Sequence, residues 1–250
     1  MNIFDYFKNL YEIGTEIEPF LDWDSKDKLE HIYQIFWHNS KNQKGKNKPI
    51  PWRILIERQD PLIFNMPECE ESKIHVDVTC DIQGIVDSPT SEETTFTKYN
   101  LELRVWSHDE KLSFREGIDS NELREKLERQ NWKRVMLRFH MDMRSPTSGN
   151  PEPICHLHAG GDPHDDEYCW IPKELHVPRF YHYPMDIILL SEFILTNFYP
   201  EDSERLRKDP VWKSIIIDSQ NFYLKEYILN LQRYLNRDGN TLFGYLVSYG

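Results

Sequence analysis

Two short segments of the sequence carry ionisable side chains at every second position. The first, LRFHMDMR, spans residues 137–144, and the second, CHLHA, spans residues 155–159. The ionisable positions are Arg138, His140, Asp142 and Arg144 in the first segment and His156 and His158 in the second. Residues at a spacing of two share one face of a β-strand. If the two segments pair as a hairpin, directly opposite Cβ atoms lie about 4.5–5.5 Å apart, which brings these side chains within mutual reach.

Three interpretations of these polar rows are open. Antiparallel sheets commonly turn one polar face to water, so the rows are consistent with a solvated surface. Histidine titrates near neutral pH and serves as acid and base, so the rows are also consistent with metal-independent phosphodiester cleavage, in which arginine stabilises the charge on phosphorus. A zinc site is the third interpretation, because His-x-His on a strand plus one further imidazole or carboxylate supplies three ligands.

The catalytic interpretation assigns a role to each residue and needs no cofactor or metal. The expected catalytic residues are His140, Asp142, His156 and His158. The histidines exchange protons and the aspartate orients one imidazole. The expected phosphate ligands are Arg138, Arg144 and Arg179. The last of these lies in the proline-bounded segment VPRFYHYPMD, which we expect to be a loop near the edge of the sheet.

The order of these motifs resembles that of small bacterial toxins of the TumE type. The resemblance rests on Arg138, Asp142, His156 and His158, followed by an apolar helix, and covers about residues 95–200. In addition, HLHAGG followed by PMDIILLSEFILTNFYP is similar to uncharacterised bacterial proteins whose genes cluster with mobile and defence elements. The resemblance implies a component of a toxin–antitoxin or defence system, RNA as the substrate, and a partner protein from the same operon. This chain is longer than the toxins, which favours an element of a larger system.

Composition narrows the classes of function. The 250 residues carry a net charge of −12, and only residues 101–150 have a basic balance, with ten Lys and Arg against nine Asp and Glu. Proteins that coat duplex nucleic acid show a strong basic excess, so contact with nucleic acid is expected to be local. No segment is apolar enough to span a membrane, and the N-terminus does not resemble a signal peptide. Four scattered cysteines fit a reducing compartment, so we expect a cytoplasmic protein.

The elements that position the polar rows follow from the periodicity of apolar residues. Helical spacing predicts helices over residues 3–18, 24–38, 119–131, 184–198 and 209–235, and alternation predicts strands over residues 53–57, 73–83, 99–106, 133–144 and 154–159. Residues 111–116 are a further short strand in this scheme, and residues 241–250 are a last strand or a docking segment.

This order of elements predicts a single α+β domain over residues 1–250. It comprises an N-terminal helical pair (1–40), a sheet region (51–160) and a C-terminal helical region (184–236), with helices at both chain ends packed on one face of a mostly antiparallel sheet of about five to six strands. The expected function is that of an RNA-cleaving effector. The alternative is a non-catalytic subunit of a defence complex that binds a partner protein through its acidic surface. The oligomeric state is left open by the sequence.

Overall fold

The computed structural model describes residues 1–43, 49–65, 74–88, 94–107, 134–143, 155–159 and 179–241. The helices in these ranges are α1 (Ile3–Ile17), α2 (Lys28–Gln43), α3 (Ile187–Phe198), α4 (Pro200–Leu206) and α5 (Pro210–Leu235). The strands are β1 (Ile50–Ile56), β2 (Leu62–Asn65), β3 (Ile74–Val86), β4 (Thr95–Lys98), β5 (Asn100–Ser107), β6 (Arg134–Met143), β7 (Cys155–Ala159) and β8 (Arg179–Tyr181). None of the helices in the described part of the chain is both long and apolar enough to cross a membrane.

The strands form one antiparallel sheet in the order β1-β3-β5-β6-β7-β8. The short strands β2 and β4 pair with β3 as well, also in antiparallel orientation. The predicted fold class, a mostly antiparallel sheet with helices at both chain ends, is therefore confirmed. The pairing of β6 with β7 was the central prediction from the sequence, and it is also present.

One face of the sheet is apolar and lies against the helices. Most of the residues that alternate onto this face of β3, β5 and β6 are buried in one core with side chains from α1, α2, α3 and α5, and Leu137 and Phe139 of β6 are partly buried against it. The buried residues include Val76, Val78, Cys80, Leu101, Leu103, Val105 and Met141. Burying a continuous apolar face in this way is the main favourable contribution to folding.

Aromatic rings join the terminal helices to each other and to the sheet. Phe7 of α1 stacks on Phe36 of α2 with ring centroids 4.0 Å apart, and it meets Trp52 of β1 edge-on at 6.1 Å. Tyr6 of the same helix stacks on Phe222 of α5 at 5.2 Å. The two helical regions at opposite ends of the sequence thus share one core.

A glycine makes room for Trp52 on the sheet. Gly84 of β3 is the register partner of Trp52, and a Cβ atom at this glycine would lie 2.4 Å from Cζ2 of the indole. The indole Nε1 donates a hydrogen bond to Thr94 Oγ1 at 3.0 Å. Any larger residue at position 84 would displace the ring.

Several element boundaries differ from the sequence prediction. Residues Trp23–Ser25 form a 3-10 turn, so α2 begins at Lys28. Helical spacing from Leu29 and Ile32 predicts that Ile35 faces inward, but it is 48% exposed. Strands are also present at Thr95–Lys98, between the predicted strands 73–83 and 99–106, and at Arg179–Tyr181, in the segment expected to be a loop. The helix predicted from Pro184 begins at Ile187, with Asp186 as its N-cap.

Some predicted elements lie outside the described residues. They are the strand 111–116, the helix 119–131 and nearly all of the C-terminal segment 241–250.

Candidate functional site

The sheet aligns the predicted site residues in rows that cross four strands. One row runs from Glu102 on β5 through His140 on β6 and His158 on β7 to Arg179 on β8, each residue being the register partner of the next. Register partners in antiparallel strands share one face, and their Cα atoms lie about 4.5–5.5 Å apart. Two histidines are therefore neighbours on this face, with a carboxylate residue at one end and an arginine at the other.

A second row lies directly beside the first. It runs from Asn100 through Asp142 and His156 to Tyr181. Positions 156 and 158 are two residues apart on β7, which corresponds to about 7 Å along the strand. All three histidines and the aspartate of the catalytic prediction thus share one face of neighbouring strands.

Arg179 joins this group through an element that the sequence analysis missed. The strand β8 was expected to be a loop, yet it pairs with β7 and places Arg179 opposite His158. The short run RFY is flanked by prolines, which are typical of loops and sheet edges. Three consecutive residues are too few for alternation to reveal a strand.

A third row on the same face consists of charged residues that bind one another. Asp77 on β3, Arg104 on β5 and Arg138 on β6 are register neighbours. Arg104 Nη2 lies 3.3 Å from Asp77 Oδ2, and Arg104 Nε lies 3.3 Å from Glu102 Oε1. Arg138 Nη2 donates to Glu102 Oε2 at 2.5 Å. Two carboxylates and two guanidiniums therefore form one neutral network.

This network is almost completely withdrawn from solvent. Asp77 is fully buried, and Glu102, Arg104 and Arg138 are no more than 7% exposed. Burial of four charges has a large desolvation cost, which is offset only while each charge keeps its partners. Removal of one member leaves its partner buried and uncompensated, and such losses typically amount to about 3–5 kcal/mol.

The remaining predicted residues are described to different extents. His140 is half-buried, next to this network. Arg138, predicted as a phosphate ligand, donates to Glu102 within the network. Arg144 lies outside the described residues. The strand register alone is described for Asp142, His156, His158 and Arg179, and their side chains are not. Among the described side chains, no three His, Cys, Asp or Glu residues are close enough together to hold a metal ion.

A second buried ionisable centre lies among the helices and was not predicted from the sequence. The Asp186 carboxylate caps α3 by accepting a hydrogen bond from the Leu189 N–H at 2.8 Å. Ser219 Oγ of α5 donates to the same carboxylate at 2.7 Å. The side chain of Asp186 is fully buried, and this burial raises its pKa to about 6, although both hydrogen bonds act in the opposite direction.

The phenols around this carboxylate stay protonated. The pKa values of Tyr6 in α1 and Tyr223 in α5 are raised. The larger cause is burial, and the second is the negative charge of Asp186. Asp186 is thus hydrogen-bonded to α3 and α5, and its charge acts on Tyr6 of α1. The signal that could have revealed it is an aspartate directly before an apolar helical run, which is a common N-cap pattern.

Comparisons with known proteins found no match, so the site is interpreted from its own geometry. No protein-family model matches the chain, and no curated protein or solved structure is significantly similar to it.

Proposed function

We propose that the chain is an RNA-cleaving effector and that its ionisable sheet face is the active site. The observation that carries the proposal is the register of β6, β7 and β8. This register makes His140 the partner of His158, Asp142 the partner of His156, and Arg179 the partner of His158. Acid, base and anion-binding groups are thus concentrated within a few residues of one another, as phosphodiester cleavage requires.

The reaction that fits these groups is attack of the RNA 2′-hydroxyl on the adjacent phosphorus. His156, oriented by Asp142, takes the proton of the 2′-hydroxyl while its oxygen forms the new bond to phosphorus. The bond to the 5′-oxygen breaks, and that oxygen receives a proton from His158, or from His140 beside it. Arg179 stabilises the negative charge that develops on the phosphoryl oxygens. The products are a 2′,3′-cyclic phosphate and a free 5′-hydroxyl, and no water or metal enters the step.

In this proposal the buried network supports the site from one side. Glu102 is the register partner of His140 and holds Arg138 at 2.5 Å. This ion pair holds Arg138 in place beside the site, and Arg144 remains a predicted phosphate ligand. The biological setting, a bacterial defence or toxin–antitoxin system with a partner protein from the same operon, follows from the resemblance to TumE-type toxins.

A second candidate function is that of a non-catalytic, protein-binding subunit of a defence complex. One observation favours it. Glu102, Arg104 and Arg138 are buried and form ion pairs with one another, so their charges are compensated within the protein. Buried ion pairs of this kind also occur where they only specify the packing of a fold.

Cleavage of RNA by the purified chain distinguishes the two functions. A 5′-labelled single-stranded RNA is incubated with the chain in EDTA between pH 5 and 8. We expect cleavage with a bell-shaped pH dependence, and products that end in a cyclic phosphate. The double variant His156→Ala/His158→Ala should lose activity by a factor of at least about 10². The matched control is His31→Ala/His38→Ala, which removes two exposed histidines from α2 and should keep full activity.

The same variants can be followed in living bacteria. Expression of the parent chain should slow growth and degrade RNA, and the His156→Ala/His158→Ala variant should do neither. Equal RNA cleavage by the parent and this variant, or no cleavage by the parent, would overturn the catalytic proposal and leave the protein-binding function.

A further inference from the structure

A groove separates α2 from β1 on the side of the molecule away from the ionisable rows of β6–β8. Its volume is about 710 Å³, and it is lined by the first half of α2 and the second half of β1. Because β1 is the end strand of the sheet order, the groove follows an edge of the sheet.

Apolar side chains are exposed in and beside this groove. Ile35 is 48% exposed, and Leu55 of β1 is half-buried on the facing side. Trp23 is 85% exposed, and it directly precedes Asp24, which lines the groove. An indole with so little contact to its own chain is unusual for a folded domain, and tryptophan is the residue most enriched at the energetic centres of protein interfaces.

The charges of the groove are unbalanced. The two cationic side chains in its lining are already bound, since Lys28 Nζ lies 2.7 Å from Asp60 and Arg53 Nε lies 2.7 Å from Asp81 outside the groove. For Asp24, Asp27 and Glu57, in contrast, no Lys or Arg in the described part of the chain lies within ion-pair distance. The groove therefore combines an apolar surface with an excess of negative charge.

We propose that this groove binds a cationic segment of a partner protein, in which Lys or Arg residues alternate with aliphatic ones. The aliphatic side chains would pack on Ile35 and Leu55, and the cations would pair with Asp24, Asp27 and Glu57. A cation over the face of Trp23 would add a cation–π interaction, in the position that Lys26 already approaches at 5.9 Å. A second copy of the chain does not fit this chemistry, because it carries the same net charge of −12. The proposal does not depend on ribonuclease activity.

Fluorescence anisotropy with labelled peptides tests this assignment on the full chain. The probe is a nonapeptide of alternating Lys and Leu, compared with peptides in which Glu replaces every Lys or Ser replaces every Leu. We expect only the Lys–Leu peptide to bind well, with an affinity that falls as salt increases. The double variant Asp24→Asn/Asp27→Asn should weaken binding about three- to tenfold. Trp23→Ala and Ile35→Asp should each weaken it about fivefold or more.

A matched control accounts for the acidity of the whole protein. Glu201→Gln/Asp238→Asn removes two exposed acids outside the groove and should leave affinity nearly unchanged. The proposal is overturned if this control weakens binding as much as the groove variants do, or if the Lys–Ser peptide binds as tightly as the Lys–Leu peptide. It is also overturned if sedimentation shows a dimer that Ile35→Asp dissociates, because the groove would then hold a second copy.

Discussion

Asp186 makes the stability of the protein depend on pH in a direction opposite to that of most carboxylates. Its side chain is fully buried, caps α3 and accepts a hydrogen bond from Ser219 of α5. The substitution Asp186→Asn retains the cap, because asparagine is an equally good N-cap residue, and its amide can still bond to the serine. The substitution removes only the ability of this side chain to ionise.

The magnitude follows from the two pKa values of the carboxyl group. An aspartate in an unfolded chain has a pKa of about 3.9, whereas burial raises the pKa of Asp186 to about 6 in the folded protein. Since the folded state binds the proton more tightly, the stabilisation from protonation is fully present below about pH 4. It is lost as the pH rises through 6. A pKa difference of about 2 corresponds to about 3 kcal/mol.

Urea unfolding, followed by tryptophan fluorescence at pH 4, 5, 6 and 7, measures this effect. The quantity to compare is the free energy of unfolding of the parent minus that of Asp186→Asn, because other carboxylates titrate equally in both proteins. This difference should fall by about 2 kcal/mol from pH 4 to pH 7, because pH 4 lies at the unfolded-state pKa and the full effect is reached only at lower pH. Asp209→Asn, which changes the half-buried cap of α5, serves as the control. A difference that stays constant from pH 4 to pH 7 would refute the reasoning.

Three further predictions concern the sheet. Gly84→Ala should destabilise the protein by about 1–3 kcal/mol, because the added Cβ meets the Trp52 ring at 2.4 Å. Urea denaturation measures this loss, and a neutral effect would contradict the close approach. Glu102→Ala and Arg138→Ala should each lower the free energy of unfolding by about 3–5 kcal/mol. The double variant should lose clearly less than the sum, since neither charge is then left alone. Additive losses would show that the pair is uncoupled. Asp81→Asn should cost no more than about 1 kcal/mol at pH 7, because the partners of this carboxylate are half-exposed, and the loss should shrink in high salt.

The sheet and its central hairpin could be predicted because alternation is regular there. In β6, Leu137, Phe139 and Met141 alternate with Arg138 and His140, and the structure places the two sets on opposite faces. The pairing with β7 then follows because the two strands have matching patterns and are consecutive in the sequence. The same periodicity predicted α1 and α5 to within about two residues.

The parts that could not be predicted depend on contacts distant in sequence. Nothing local shows that Glu102 would be bound to Arg138, because 36 residues separate them and the cross-strand register alone brings them together. The burial of the polar face was likewise not predicted, since an alternating strand looks the same whether its polar side meets water or other charged residues. The hydrogen bond from Ser219 to Asp186 joins residues 33 positions apart in separate helices. Periodicity within one element carries no information about such partners.

Cross-strand cysteine pairs test most directly whether the histidines of β6 and β7 form one site. In a background without the native cysteines, His140→Cys/His158→Cys places two thiols at register partners, whose Cα separation of about 4.5–5.5 Å suits a disulfide. His140→Cys/His156→Cys is the offset control, with Cα atoms about 7–8 Å apart. We predict that mild oxidation followed by mass spectrometry finds the disulfide in the first variant and free thiols in the second. A disulfide in the offset pair alone would contradict the register on which the proposed active site depends.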